Sequence, residues 1–250
     1  MVPAIRLENV TKLYGDKPAL RGLDLLVPAG SFYGFLGPNG AGKTTTIHLL
    51  VGLLPVTSGR VEVLGMEVPR EIDAIKRSIG IVPDESSLFD RLTGLEFLEF
   101  GGRMYGLARE TAVARARELL QLFELETESR DLIAGYSKGM KKRLALAGAL
   151  IHRPRLFLLD EPFEGVDPLG ARLMKRILSE QVAAGATVFL TSHVLEVVER
   201  ICDQVAIIDQ GRVVECGPVA ALRRAEETLE DIFMRVVGGE RAVQKLDWLG

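Results

Sequence analysis

Two short stretches hold residues whose types and spacing suit phosphate chemistry. Gly37-Pro38-Asn39-Gly40-Ala41-Gly42-Lys43-Thr44 fits G-x-x-x-x-G-K-[ST], the pattern of a phosphate-binding loop. Its glycines let the backbone turn tightly and aim N–H groups inward, and a following helix adds partial positive charge at its N-terminus. Lys43 is then placed to neutralise the β- and γ-phosphate oxygens, and the Thr44 hydroxyl to hold Mg²⁺. The second stretch, 155–162 (RLFLLDEP), is an apolar strand ending in two carboxylates. Adjacent charges at a buried strand tip need a cation or a proton-transfer task. Asp160 suits a magnesium ligand, and Glu161 suits the base that orients and deprotonates an attacking water.

Three weaker signals accompany these. Ser137-Lys138-Gly139-Met140 opens a helix, and reads equally as a cap or as a second anion site. Lys138, Lys141 and Lys142 set cations against the dipole at that end, which suits a nearby anion. His193 follows an apolar strand, at the end where ligands bind in open α/β sheets, although a lone histidine is often structural. Asp167-Pro168 reads as an N-cap followed by a first-turn proline. Tyr14 reads as a hairpin tyrosine or a stacking platform for a base. His48 reads as packed, and His152 as a complement to a helix C-terminus.

These residues need elements to hold them. Residues 4–10 and 23–27 alternate like antiparallel strands around a turn at 14–16. A buried strand at 31–36 precedes the loop, and a helix at 45–54 follows it. Strands are expected at 59–64, 78–82, 155–159 and 186–190, with a helix at 169–182 between the last two. From about residue 85 to 152 the pattern is helical. Thr93-Gly94-Leu95-Glu96 forms a capping box there. Val113, Ala116, Leu119, Leu120 and Phe123 make an apolar stripe, and a third helix covers 138–152. A closing hairpin spans 205–215, and 218–250 begins as an amphipathic helix.

A chain of 250 residues, 47% hydrophobic and 26% charged, can bury a sizeable core. Its net charge of −3 offers no basic field for nucleic acid. No apolar run approaches the ~18 residues of a membrane span. The start MVPAIRLENV lacks a signal-peptide core, which points to the cytosol. Cys202 and Cys216 form no metal or redox spacing and read as isolated thiols.

The order and spacing of the motifs resemble the ATP-binding-cassette family, in its stand-alone ATPase subunits, over residues 4–215. The resemblance implies an α/β fold: a P-loop NTPase (RecA-like) core at 1–84 and 153–215, with an N-terminal antiparallel β subdomain and an inserted α-helical subdomain at 85–152. Residues 216–250 form a C-terminal helical extension. It implies ATP and Mg²⁺ as ligands, with Tyr14 stacked on adenine and Gly37 to Thr45 around the phosphates. Asp160 and Thr44 would hold the metal, Glu161 would be the catalytic glutamate and His193 the switch histidine. Asp167 lies in the D-loop. Ser137, Lys138 and Gly139 form the signature loop, which would complete the site of a second copy in a head-to-tail dimer. Two positions depart from the family pattern. Lys138 and Met140 replace a glycine and a glutamine of the signature. Asp84 stands where the Q-loop glutamine is usual, with Glu85 beside it as the alternative. Family members with this signature and a Leu229-to-Phe233 tail like this one (LEDIF) typically serve separately encoded membrane permease subunits, often exporters, from the inner face of the cell membrane. A ribosome- or DNA-acting cassette protein is the rival, but it usually carries two cassettes or coiled coils. A P-loop GTPase or small-molecule kinase is a second rival, but the Asn-Lys-x-Asp guanine motif is absent and the signature helix would go unexplained.

Overall fold

The computed structural model describes residues 2–84, 88–223 and 227–238, so Glu85 and residues 239–250 lie outside the described residues. In chain order, β1 (Ile5–Tyr14) and β2 (Lys17–Val27) form a hairpin, and β3 (Phe32–Leu36) leads into the phosphate loop and α1 (Lys43–Leu50). Next come β4 (Ser58–Val63), β5 (Met66–Val68), α2 (Ile72–Ser78) and β6 (Ile79–Val82). The helical stretch comprises α3 (Gly94–Met104), α4 (Arg109–Leu122) and α5 (Lys138–Leu150). Then follow β7 (Leu156–Asp160), α6 (Pro168–Ala183), β8 (Thr187–Ser192) and α7 (Leu195–Ile201). The hairpin β9 (Gln204–Asp209) and β10 (Arg212–Pro218) precedes α8 (Val219–Leu222) and α9 (Leu229–Val237).

Two sheets result. The antiparallel one has the order β2-β1-β4-β5, and the larger one β10-β9-β3-β8-β7-β6. In the larger sheet β9, β3, β8, β7 and β6 are parallel neighbours, with β10 antiparallel at the edge. The central strands β3, β7 and β8 are buried at every residue, which is why their sequences are apolar runs without alternation. Alternate side chains enter separate cores. Phe32, Leu36, Phe157 and Leu159 face the helices, including α5, while Tyr33, Phe35, Leu156 and Leu158 face α1 and the antiparallel sheet.

Local rules explain most boundaries. Thr93 and Glu96 form the expected capping box: the Glu96 N–H donates to Thr93 Oγ1 at 3.2 Å, and the Thr93 N–H to Glu96 Oε2 at 2.9 Å. Asp167 caps α6 through the N–H groups of Leu169 and Gly170, with Pro168 in the first turn. The structure adds β5, α2 and α7, which the sequence pattern does not separate from loops. The helix after the phosphate loop stops at Leu50, short of the expected residue 54.

Gly34 shows how tightly α7 seats on the sheet. A Cβ there would lie 2.6 Å from Val198 Cγ1 and 3.1 Å from Val205 Cγ1. Gly34→Ala is therefore expected to cost about 1–3 kcal/mol by overpacking. Denaturant unfolding checks this, and an unchanged midpoint would contradict so close a seat.

Candidate active site

All the polar groups predicted from the sequence to act on phosphate, apart from the signature loop, Asp167 and Tyr14, follow the carboxyl ends of parallel strands. The phosphate loop follows β3, Asp84 follows β6, Asp160 and Glu161 close β7, and His193 follows β8. Strand ends on one edge of a parallel sheet leave a crevice where helix N-termini converge. That crevice is a cavity of about 530 Å³, lined by Gly37, Pro38, Asn39, Lys43 and Thr44 of the loop and by Asp84, Asp160, Glu161, Glu164 and His193.

The loop is shaped as a cradle. Gly42, at φ 114°, precedes α1, and a Cβ there would meet Leu20 Cδ2 at 2.7 Å and Ala19 O at 3.0 Å, so only glycine fits. No side chain caps α1, in contrast to α3, α5, α6 and α9. Its first N–H groups are thus left for a ligand. The nearly buried Lys43 ammonium donates to the carbonyls of Gly37 at 2.8 Å and Pro38 at 3.3 Å, inside the loop it would serve.

Beside it, the β7 carboxylates are held in a chain of contacts. The Thr44 hydroxyl donates to Asp160 Oδ2 at 2.9 Å, and the Thr191 hydroxyl donates to Asp160 Oδ1. Thr191 Oγ1 also accepts the Glu161 N–H at 3.2 Å. Glu161 Oε2 accepts the His193 N–H at 3.2 Å and lies 3.0 Å from His193 Nδ1. Glu161 sits at φ +46°, a left-handed conformation that a non-glycine residue adopts only where its surroundings hold it. Thr191 and His193 supply that hold. Sequence reasoning noticed Thr191 only as a neighbour of His193. Its signal is a hydroxyl at the tip of an otherwise apolar strand, and its use emerges only because β8 lies between β3 and β7.

The lysines at the start of α5 find carboxylates within their own chain. Lys138 Nζ donates to Glu164 Oε1 at 2.6 Å, and Lys141 Nζ to Asp90 Oδ1 at 2.9 Å. The Lys138 hydrogen bond holds the Glu164 carboxyl below its usual range, and Glu164 in turn raises the Lys138 ammonium. Lys142, 1% exposed, donates to the Pro83 and Asp84 carbonyls, with Asp84 Oδ1 3.8 Å away. Burial pushes its pKa down, and Asp84 opposes the shift. These partners offset the cost of cations at a helix N-terminus.

The remaining candidates stand apart. Ser137 caps α5 by accepting the Met140 N–H at 3.2 Å, and Ser137, Lys138, Gly139 and Asp167 do not line the cavity. Gly139 lies beside the Gly165 carbonyl. Tyr14 is half exposed on the β1–β2 turn, outside the cavity wall, with Lys12 Nζ 5.4 Å from its ring centroid. Thr45 is the third residue of α1. His152 stacks on Tyr105 with ring centroids 3.5 Å apart, and burial lowers its pKa. Cys202 and Cys216 are both free thiols. Glu164, Leu195 and Phe233 complete the cavity wall without any spacing signal in the sequence.

Comparison with known proteins agrees with this geometry. The family model described as ABC transporter matches residues 20–164. The linearmycin resistance ATP-binding protein LnrL of Bacillus subtilis (strain 168) is 41% identical over 240 residues, 96% of this chain and 74% of its own length. Nod factor export ATP-binding protein I of Burkholderia lata is 39% identical over 225 residues, 90% of this chain and 74% of its own. A dimeric ATP-binding cassette solved in a post-hydrolysis state with ADP and Pi superposes with a TM-score of 0.80 at 28% identity, over 86% of this chain and 98% of that one. Among the described residues no helix is long and apolar enough to cross a membrane. The chain belongs to the ABC transporter family, as one of its ATP-binding, ATP-hydrolysing subunits.

Proposed function

We propose that two copies of this chain close head to tail around two molecules of Mg²⁺·ATP, and that closure and reopening drive export through a separate membrane-spanning partner. The observation that carries the hydrolytic half is the Glu161 carboxylate, fixed 3.0 Å from His193 beside the Thr44–Asp160 pair. Glu161 is the base that takes a proton from the attacking water. With Nδ1 turned to Glu161, His193 has Nε2 left to meet the γ-phosphate. Lys43 leaves its loop carbonyls for the β- and γ-phosphate oxygens, and Tyr14 stacks on the base.

The Thr44 hydroxyl and the Asp160 carboxylate, 2.9 Å apart, are hard oxygen donors of the kind magnesium takes. Among the described residues no group of three or more His, Cys, Asp or Glu forms a cage. That fits an ion completed by phosphate oxygens and water. Bound there, Mg²⁺ would neutralise charge on the phosphates. Asp84 reaches the same cavity as the Q-loop residue, one methylene shorter than the usual glutamine.

The head-to-tail arrangement is supported by what the cavity lacks. Ser137, Gly139 and Asp167 lie outside it, and on this reading a second copy's signature loop and D-loop supply them. Export is supported by the relative named for Nod factor export. On this reading the chain works in the cytoplasm, peripherally on the inner face of the cell membrane, and takes no nucleic acid.

A mixing experiment tests the composite site. Lys43→Met disables the phosphate loop and Ser137→Arg the signature loop, and each variant alone is expected to lose turnover. Their mixture forms heterodimers that pair one intact loop with one intact signature, so turnover returns. A mixture as inactive as its components would sink the head-to-tail arrangement.

A further inference from the structure

His193 is the most exposed member of the catalytic set, its side chain 54% accessible, and it is followed at once by a weak element. α7 starts two residues later and has only seven residues, too few to be helical without tertiary support. Val194 provides no side-chain cap, and Val198 is the helix's one fully buried residue. Beyond that one seat on the sheet, a further contact holds α7, and with it the backbone that carries His193.

α9 does this from the far end of the described chain. It packs on α7 and is itself firmly made. Thr228 and Asp231 form a reciprocal capping box, with the Asp231 N–H donating to Thr228 Oγ1 at 3.2 Å and the Thr228 N–H to Asp231 Oδ2 at 2.8 Å. Leu229 and Ile232 are fully buried in the same core as Val198. Arg223, after α8, forms an ion pair with Glu199 of α7. The next residue after Ile232, Phe233, lines the nucleotide cavity together with Leu195 and His193. The tail motif Leu229 to Phe233 thus has two jobs in one turn and a half: its buried residues anchor the helix, and its phenylalanine faces the chemistry.

Building on the role given to His193 above, we infer that α9 is the element that positions it and that Phe233 is the positioning residue. The apolar wall of Phe233 and Leu195 keeps α7 pressed toward the cavity, so that His193 stays within reach of Glu161 Oε2. Loss of the ring leaves room for α7 to shift, and the His193–Glu161 contact loosens. Binding of ATP to the phosphate loop is untouched.

Phe233→Ala, Phe233→Leu, His193→Ala and the double variant Phe233→Ala/His193→Ala test this in the full chain. Phe233→Ala is expected to lower kcat about tenfold with KM for ATP within about twofold, and Phe233→Leu to keep kcat within about twofold of the parent. In the His193→Ala background Phe233→Ala is expected to change kcat by less than about twofold, because both act through one imidazole. Amide hydrogen exchange reads the positioning directly: Phe233→Ala should speed exchange across 195–201 and leave 138–150 unchanged. Equal losses of kcat in both backgrounds, or unaltered exchange in α7, overturn the proposal. Parental turnover in His193→Ala alone would remove the catalytic role of His193, and exchange across α7 would still decide whether Phe233 positions it.

Discussion

Replacing Glu161 with Gln lowers ATP turnover by about 10²- to 10³-fold and leaves nucleotide binding intact. The amide has the shape of the carboxylate, so one oxygen still accepts the His193 N–H, now at 3.2 Å, and the backbone turn at Glu161 is preserved. What disappears is an acceptor for the proton of the attacking water. One negative charge also leaves a cavity whose walls already hold Asp84, Asp160 and Glu164. ATP, itself an anion, is then held at least as well, and the ATP-bound dimer accumulates because it no longer resolves. Phosphate release and size-exclusion chromatography with Mg²⁺·ATP measure the two halves of this result. Turnover above about a tenth of the parent would remove Glu161 from the role of base.

Lys43→Met acts in the phosphate loop and on the other step. Lys43 is a buried residue whose ammonium is held by two loop carbonyls, so it is pre-placed before any ligand arrives. Charge-assisted hydrogen bonds to phosphate contribute about 1.5–3 kcal/mol each. Losing one or two of them weakens ATP binding by about 10²-fold. Turnover falls further, since the same charge stabilises the oxygens of the transferred phosphoryl group. Methionine keeps the length and apolar stem, so the loop should survive. Titration with a fluorescent ATP analogue gives the affinity, and thermal unfolding without nucleotide checks the fold. Affinity within about threefold of the parent would show that backbone N–H groups alone hold the triphosphate.

Together the two variants separate holding from hydrolysis. Lys43→Met should fail to dimerise with ATP, whereas Glu161→Gln should dimerise and stall.

The elements legible in the sequence were those set by neighbours along the chain. The capping box at Thr93, the Asp167-Pro168 helix start and the buried runs of β3, β7 and β8 all depend on residues within one or two turns. β5, α2 and α7 escaped because elements of three and seven residues are too short to show a period. The α5 lysines suggested either a docked anion or a solvated basic face. The acids that met them in the fold, Glu164 and Asp90, are 26 and 51 residues away.

By itself, then, the chain marked the candidate groups for phosphate chemistry: Gly37 to Thr44, Asp160, Glu161 and His193 are recognisable because a strand, a tight turn and a helix start are local events with local residue requirements. Tertiary structure decided how those groups are coupled. Thr44 and Asp160 are 116 residues apart and meet only because β3 and β7 flank β8 in one sheet. That same arrangement turns Thr191 into the bridge between Asp160 and the Glu161 backbone. A fully apolar strand does not announce its neighbours or which of its faces meets which core. Nor does the tail declare that Phe233 returns to the cavity, since that depends on α9 packing against α7. Contacts of this kind follow from packing across the sheet, and no periodicity in the sequence encodes them.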